Sequence, residues 1–135
     1  MTLHNNSDVE TAAAVAGMLA ALAHIDGAGF HGIDAALRKE SPIIDEFWSN
    51  RLRAAQIAAA SVPWPEELEQ QAKSLGDAAG RLATALGGGD AKIAATHAGE
   101  AHAAWHTLNT PAWNYLAKTV DLEVESEATR DHHHH

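Results

Sequence analysis

The chain contains no cysteine, which excludes disulfide staples, thiolate zinc sites, covalent haem attachment and a cysteine nucleophile. Nowhere does it show the period-two alternation of a half-buried strand, so the fold class expected is all-α. Basic residues are scarce: 9 Lys and Arg stand against 18 Asp and Glu, and the formal net charge of -9 repels nucleic-acid phosphates and anionic membranes alike. Neither nucleic acid nor a membrane is an expected partner. The N-terminus has no basic region followed by an apolar run, so no export signal is read and a cytoplasmic location is expected. No Gly-x-Ser-x-Gly motif occurs, and Ser41, Ser49, Ser61 and Ser74 fall at cap or surface positions, leaving no evident nucleophile. Gly87, Gly88 and Gly89 do not make a phosphate cradle, because Asp90 at the following helix start repels an anion.

What remains is rich in Ala and Leu. At 135 residues and 46% hydrophobic content the chain is long enough to bury one core without metal or covalent staples. Residues 1–120 are read as a single domain. The acidic stretch after Asp121 is poor in large apolar groups and is expected to be a disordered tail, ending in the four histidines at 132–135, a purification tag.

Helix signals divide the domain. Asn6, Ser7 and Asp8 offer N-caps to an apolar first helix, whose first stretch, residues 9–25, is too short to span a bilayer. Its stripe of Val15, Leu19 and Leu22 stays in phase with Ile33, Ala36 and Leu37 across Gly27, Gly29 and Gly32. One kinked helix over residues 8–39 is favoured; a loop at 27–29 with a separate short helix from Phe30 is the alternative. Ser41-Pro42 starts a second helix ending near Ser61, Pro65 starts a third ending at Gly87, and Asp90 caps a fourth running to Leu108. Thr110-Pro111 opens a short fifth helix. Short connections between long helices give an up-and-down antiparallel four-helix bundle with the fifth helix across one end.

Asp26, Arg51 and His97 each interrupt an apolar stripe, where an unpaired charge is costly. Together they suggest a shared polar centre: Asp26 neutralising Arg51, and Glu100, three residues after His97, orienting its imidazole. Trp48, Trp105 and Phe30 would wall such a pocket for a planar or apolar ligand. Each also has a plainer reading: an exposed helix-end Asp26, an Arg51 whose stem lies over the stripe with its head in water, and core tryptophans. His102 and His106 lie four apart on the opposite side of their helix from His97 and form a two-nitrogen clamp for a divalent transition metal. The helix offers them no carboxylate at helical spacing, so another helix or subunit must complete the site. Non-covalent haem on His97 is a further cofactor option.

The function expected is therefore a small-molecule or metal-binding bundle with a buried polar centre. The alternative is a non-enzymatic interaction module, a homodimer through the Ala13, Gly17, Ala20 and His24 face. Catalysis by His97 as acid or base would require the first reading plus a reaction for which no motif is present, so enzymatic activity stays undecided.

Overall fold

A computed structural model of the chain describes the backbone of residues 2–132 and the side chains of residues 9–120. Among the described residues there is no strand, and five helices form: α1 Thr2–Gly27, α2 Phe30–Leu37, α3 Trp48–Ser61, α4 Glu66–Gly87 and α5 Ala91–His132. The protein is a helical bundle in which α4 lies between α3 and α5, α1 packs on α3, and α2 packs mainly on α5.

The apolar spacing in α4 explains its central place. Leu68, Ala72, Leu75, Ala79, Leu82 and Leu86 recur at three- and four-residue intervals and all are buried, while Glu66, Glu67 and Glu69 sit favourably at the positive end of the helix. Small residues draw α3 close: a Cβ added at Gly80 would lie 2.7 Å from the Gln56 amide nitrogen. Between the two helices, Trp64 is buried and its Nε1 donates to the Ala59 carbonyl at 2.7 Å, which fastens the turn made by Pro63 and Pro65.

The first two helices are not one. Ala28 and Gly29 break the helix, Gly29 adopting the left-handed conformation (φ 73°, ψ 43°) that a residue with a Cβ avoids. The separate short helix from Phe30 is thus the form adopted. Of the expected stripe, Leu22 before the break and Ile33 and Leu37 after it enter the core, whereas Leu19 is 41% exposed and Met18 and Ile25 take the inside places. α1 itself begins at Thr2, ahead of the expected cap at residues 6–8. Val9–Leu37 as a whole is long and apolar enough to cross a membrane by length and composition, which corrects the shorter estimate made from residues 9–25. In the fold that stretch is divided at residues 28–29 and buries its inner face against α3 and α5.

Two helix boundaries also differ. Ser41-Pro42 does not start α3; residues 38–47 are irregular, the Asp45 carboxylate accepts from Phe47 N at 2.8 Å in the turn just ahead of the helix, and α3 begins at Trp48 with Phe47 as an N-cap that makes no side-chain hydrogen bond. At the other end, Pro111 lies inside α5. A proline within a helix removes one hydrogen bond and costs about 3 kcal/mol, but Ala94, Ala98, Ala101, Leu108, Ala112 and Leu116 form one buried stripe that stays in phase across it. Continuing the helix keeps Ala112 and Leu116 inside. The expected short fifth helix is therefore part of α5, whose backbone stays helical to His132 where a disordered tail was expected. The last three tag residues lie outside the described residues.

Candidate functional site

α2 is only eight residues long, and its inward face reads Phe30, Ile33, Asp34, Leu37. Asp34 is the one buried charged residue among the described residues, at 4% exposure. Its neighbours explain how it is tolerated. Arg38, one turn later, forks onto the carboxylate with Nε to Oδ1 at 3.0 Å and Nη2 to Oδ2 at 3.2 Å. From α5, His102 Nδ1 reaches Oδ2 at 2.8 Å. Burial pushes the Asp34 carboxyl up, but the hydrogen bond from His102 and the hydrogen bonds and positive charge of Arg38 outweigh it and hold the group below its ordinary value. Asp34 is accordingly an anion at neutral pH.

An ionised carboxylate only accepts, so the proton in the shortest of these contacts sits on His102 Nδ1. In the neutral ring, Nε2 then carries the lone pair. Two further imidazoles meet that atom: His106 Nε2 at 3.1 Å, one turn along α5, and His31 Nδ1 at 3.4 Å, from the first turn of α2. The ring centroids of His31 and His106 lie 5.0 and 4.8 Å from that of His102. Trp105 closes one side, its ring 4.6 Å from His106, with Nε1 buried and lacking an acceptor among the described residues. The result is a file of polar groups running from a buried carboxylate through a largely covered imidazole to two exposed ones. Chemically it offers neutral nitrogen donors at its outer end and a fixed anion behind them. Among the described residues, no group of three or more His, Asp or Glu side chains is placed so that it could hold a metal ion.

The expected centre of Asp26, Arg51, His97 and Glu100 does not form. Asp26, in the last turn of α1, and Arg51, in the first turn of α3, are both exposed and make no ion pair among the described residues. The reason is phase: Leu52, Ala55 and Ala59 are the buried positions of α3, and Leu52 takes the inside place that the spacing had left to Arg51. On α5 the buried line is Ala94, Ala98, Ala101, which leaves His97 on its shoulder and Ile93 53% exposed. His97 Nδ1 and Glu100 Oε2 do approach, at 3.4 Å, and Glu100 also lies 3.9 Å from Arg81 Nε, but this is a surface arrangement. Trp48 packs half-buried against the core. Of the predicted ligand residues, Trp105 alone lies beside the polar centre that does form, and His102 and His106 are brought together there.

Asp34, His31 and Arg38 were missed. One signal was available: Asp34 sits between Ile33 and Leu37 on the apolar face, with Arg38 four residues on to pair with it. No family model matches the chain, and neither a curated protein nor a solved structure shows significant similarity to it.

Proposed function

We propose that the protein is a metal-binding helical bundle that takes a late first-row divalent ion, such as zinc, copper or nickel, on the two nitrogens of His102 and His106, with water filling the remaining positions. The observation that carries this reading is the 2.8 Å contact between His102 Nδ1 and buried Asp34. A carboxylate on the far nitrogen of an imidazole fixes its tautomer and raises its basicity, which is what a metal-bound histidine requires. Neighbouring nitrogens around a tetrahedral zinc ion stand about 3.3 Å apart, given zinc-nitrogen bonds of about 2.0–2.1 Å. The 3.1 Å separation of His106 Nε2 from His102 Nε2 is close to that spacing. His106 is exposed, so its ring is free to turn its lone pair from the direct nitrogen contact onto an ion. Neutral imidazoles favour these borderline ions over magnesium or calcium.

The test is zinc titration of tag-free protein by calorimetry at pH 7.5, since histidines 132–135 bind metals unaided. One ion per chain is expected. His102→Ala should weaken binding at least 100-fold, and Asp34→Asn about 10- to 100-fold as for other carboxylates behind a ligand. Undiminished binding in a folded His102→Ala, His106→Ala double variant would remove the reading.

A second reading, self-association through α1, is favoured by one feature. Between Thr11 and Ala23 the helix has no ionisable side chain, and Ala13 and Ala20 are exposed beside a groove lined by Gly17, His24 and Ile57. In a chain of net charge -9, this is a face where two copies can meet without repulsion. A Cβ at Gly17 meets nothing within 4 Å, so Gly17→Leu should leave the monomer folded and weaken association seen by sedimentation. A wild type that stays monomeric at high concentration would dismiss it.

A further inference from the structure

We infer that the groove between α3, α4 and the start of α5 binds a small organic anion through a carboxylate or phosphate head group. This site is separate from the histidine centre between α2 and α5 and needs no metal ion. The groove has a volume of about 620 Å³, and its lining includes Arg53, Gln56, Arg81, Thr84, Ile93 and His97. That is the size of an ordinary small-molecule site. Two guanidiniums face one carboxylate there, that of Asp77, in a chain with 18 acidic residues against 9 basic ones. An anion repelled by the rest of the surface is attracted to this groove.

Arg53 is already posed for such a ligand. Its Nη1 donates to Gln56 Oε1 at 3.1 Å and its Nη2 to Thr84 Oγ1 at 3.0 Å, so the guanidinium is stretched from α3 to α4. Both acceptors are neutral, and among the described residues no carboxylate pairs with it. Most of its N–H donors remain unused, with the whole positive charge. Part of the cost of ordering a long side chain is thereby met before any ligand arrives. The two acceptors become donors in their turn. Gln56 directs Oε1 to Arg53, which leaves its Nε2 over Gly80, where a Cβ would stand 2.7 Å from it. Thr96, Thr107 and Thr119 return their hydroxyl protons to the carbonyl one turn back, whereas Thr84 accepts from Arg53 and makes no such bond. Its proton is free for an oxyanion. Arg81 adds a second guanidinium, held only loosely by Glu100 at 3.9 Å. Forked donors of this kind match a carboxylate or a phosphate in bidentate geometry. Ile93, 53% exposed, and Ala85 give the remainder of the molecule an apolar wall.

Phenyl phosphate and benzoate, titrated separately into tag-free protein and followed by amide NMR, test the site. The titrations are run at pH 7.5 in about 0.15 M salt, which screens diffuse attraction. Saturable shifts are expected at the Gly80, Arg81 and Thr84 amides and at Arg53 Nε–H. Saturation by phenyl phosphate alone assigns the head group as phosphate, by benzoate alone as carboxylate, and by both as either oxyanion. Arg53→Gln, at an exposed position, should weaken binding about 10- to 100-fold, the loss expected for hydrogen bonds to a charged group. Gly80→Ala suits a helix better but pushes the Gln56 amide aside, and should weaken binding several-fold in a folded protein. Shifts that rise without saturating, or equal affinity in the wild type and either variant, would overturn the site. A failure to bind zinc would leave it standing.

Discussion

Asp34 meets His102 Nδ1 at 2.8 Å with its carboxylate 5% exposed, whereas Glu100 meets His97 Nδ1 at 3.4 Å with its carboxylate 50% exposed. Both pairs join an acid to an imidazole of α5, yet they differ in what surrounds them. Glu100 and His97 are neighbours on one helix, so their meeting follows from helical spacing alone, and water screens most of what it is worth. Asp34 and His102 are 68 residues apart and meet only because α2 docks. Their contact reports tertiary structure. An acid–imidazole pair acquires chemical weight from the desolvation of the acid and from what else the acid is asked to hold, and Asp34 also carries the Arg38 fork.

The sharpest way to break this contrast is to delete one member from each pair. His102→Ala leaves the Asp34 carboxylate buried with Arg38 as its remaining partner, and should cost about 2–4 kcal/mol, somewhat below a complete break of a buried ion pair because the guanidinium remains. Glu100→Ala, on the surface, should stay within about 0.5 kcal/mol of the wild type. Urea denaturation at pH 7 measures both. Equal losses would show that the two pairs are energetically alike.

The next effect is smaller and depends on pH. The native Asp34 carboxyl is held below its ordinary value, so the folded state binds its proton less readily than the unfolded state does. The stability this group contributes is therefore fully present above the unfolded-state value of about 3.9 and disappears as pH falls through the lower native value. Asp34→Asn removes the charge at every pH. It should destabilise by about 1–3 kcal/mol at pH 7, the range for a hydrogen bond to a charged group, and the gap to wild type should narrow as pH drops below about 4. A gap for Asp34→Asn that stays constant down to pH 2 would mean that the carboxylate's charge is not what stabilises the fold.

These contrasts also explain what could be read along the chain. The all-α class, the α4 stripe and the Asp90 cap, which accepts from Lys92 N at 3.0 Å, depend on spacing over a few residues, and each is recoverable from local pattern. The passage of α5 through Pro111 is decided by the burial of Ala112 and Leu116, which outweighs local punctuation. The candidate site shows the same division. His102 and His106 stand out by their spacing, but the partner that gives His102 its orientation comes from α2, across a break that the continuing apolar pattern of the sequence conceals. Asp26 and Arg51 drew attention because a stripe on a helical wheel is about 100° wide, so a residue at its margin and one at its centre look alike until a neighbour such as Leu52 claims the inside.

Trp105 provides the mildest test, because it borders the buried pair without belonging to it. Its ring lies 6.2 Å from His102 and 4.6 Å from His106, so its bulk helps cover the outer end of the centre. Its Nε1 is buried and meets no acceptor among the described residues, which is a standing cost of about 1–3 kcal/mol for a lost solvent hydrogen bond. Trp105→Phe removes that donor and, with it, part of the ring's apolar contact. The two changes oppose each other, and a net shift within about 1 kcal/mol of zero is expected by urea denaturation. Trp105→Ala separates them, since it deletes the whole ring beside His106 and should cost about 3 kcal/mol or more if the indole packs as a core side chain. A loss as large in the Phe variant as in the Ala variant would instead show that Nε1 is engaged, and that the tryptophan belongs to the polar file that begins at Asp34.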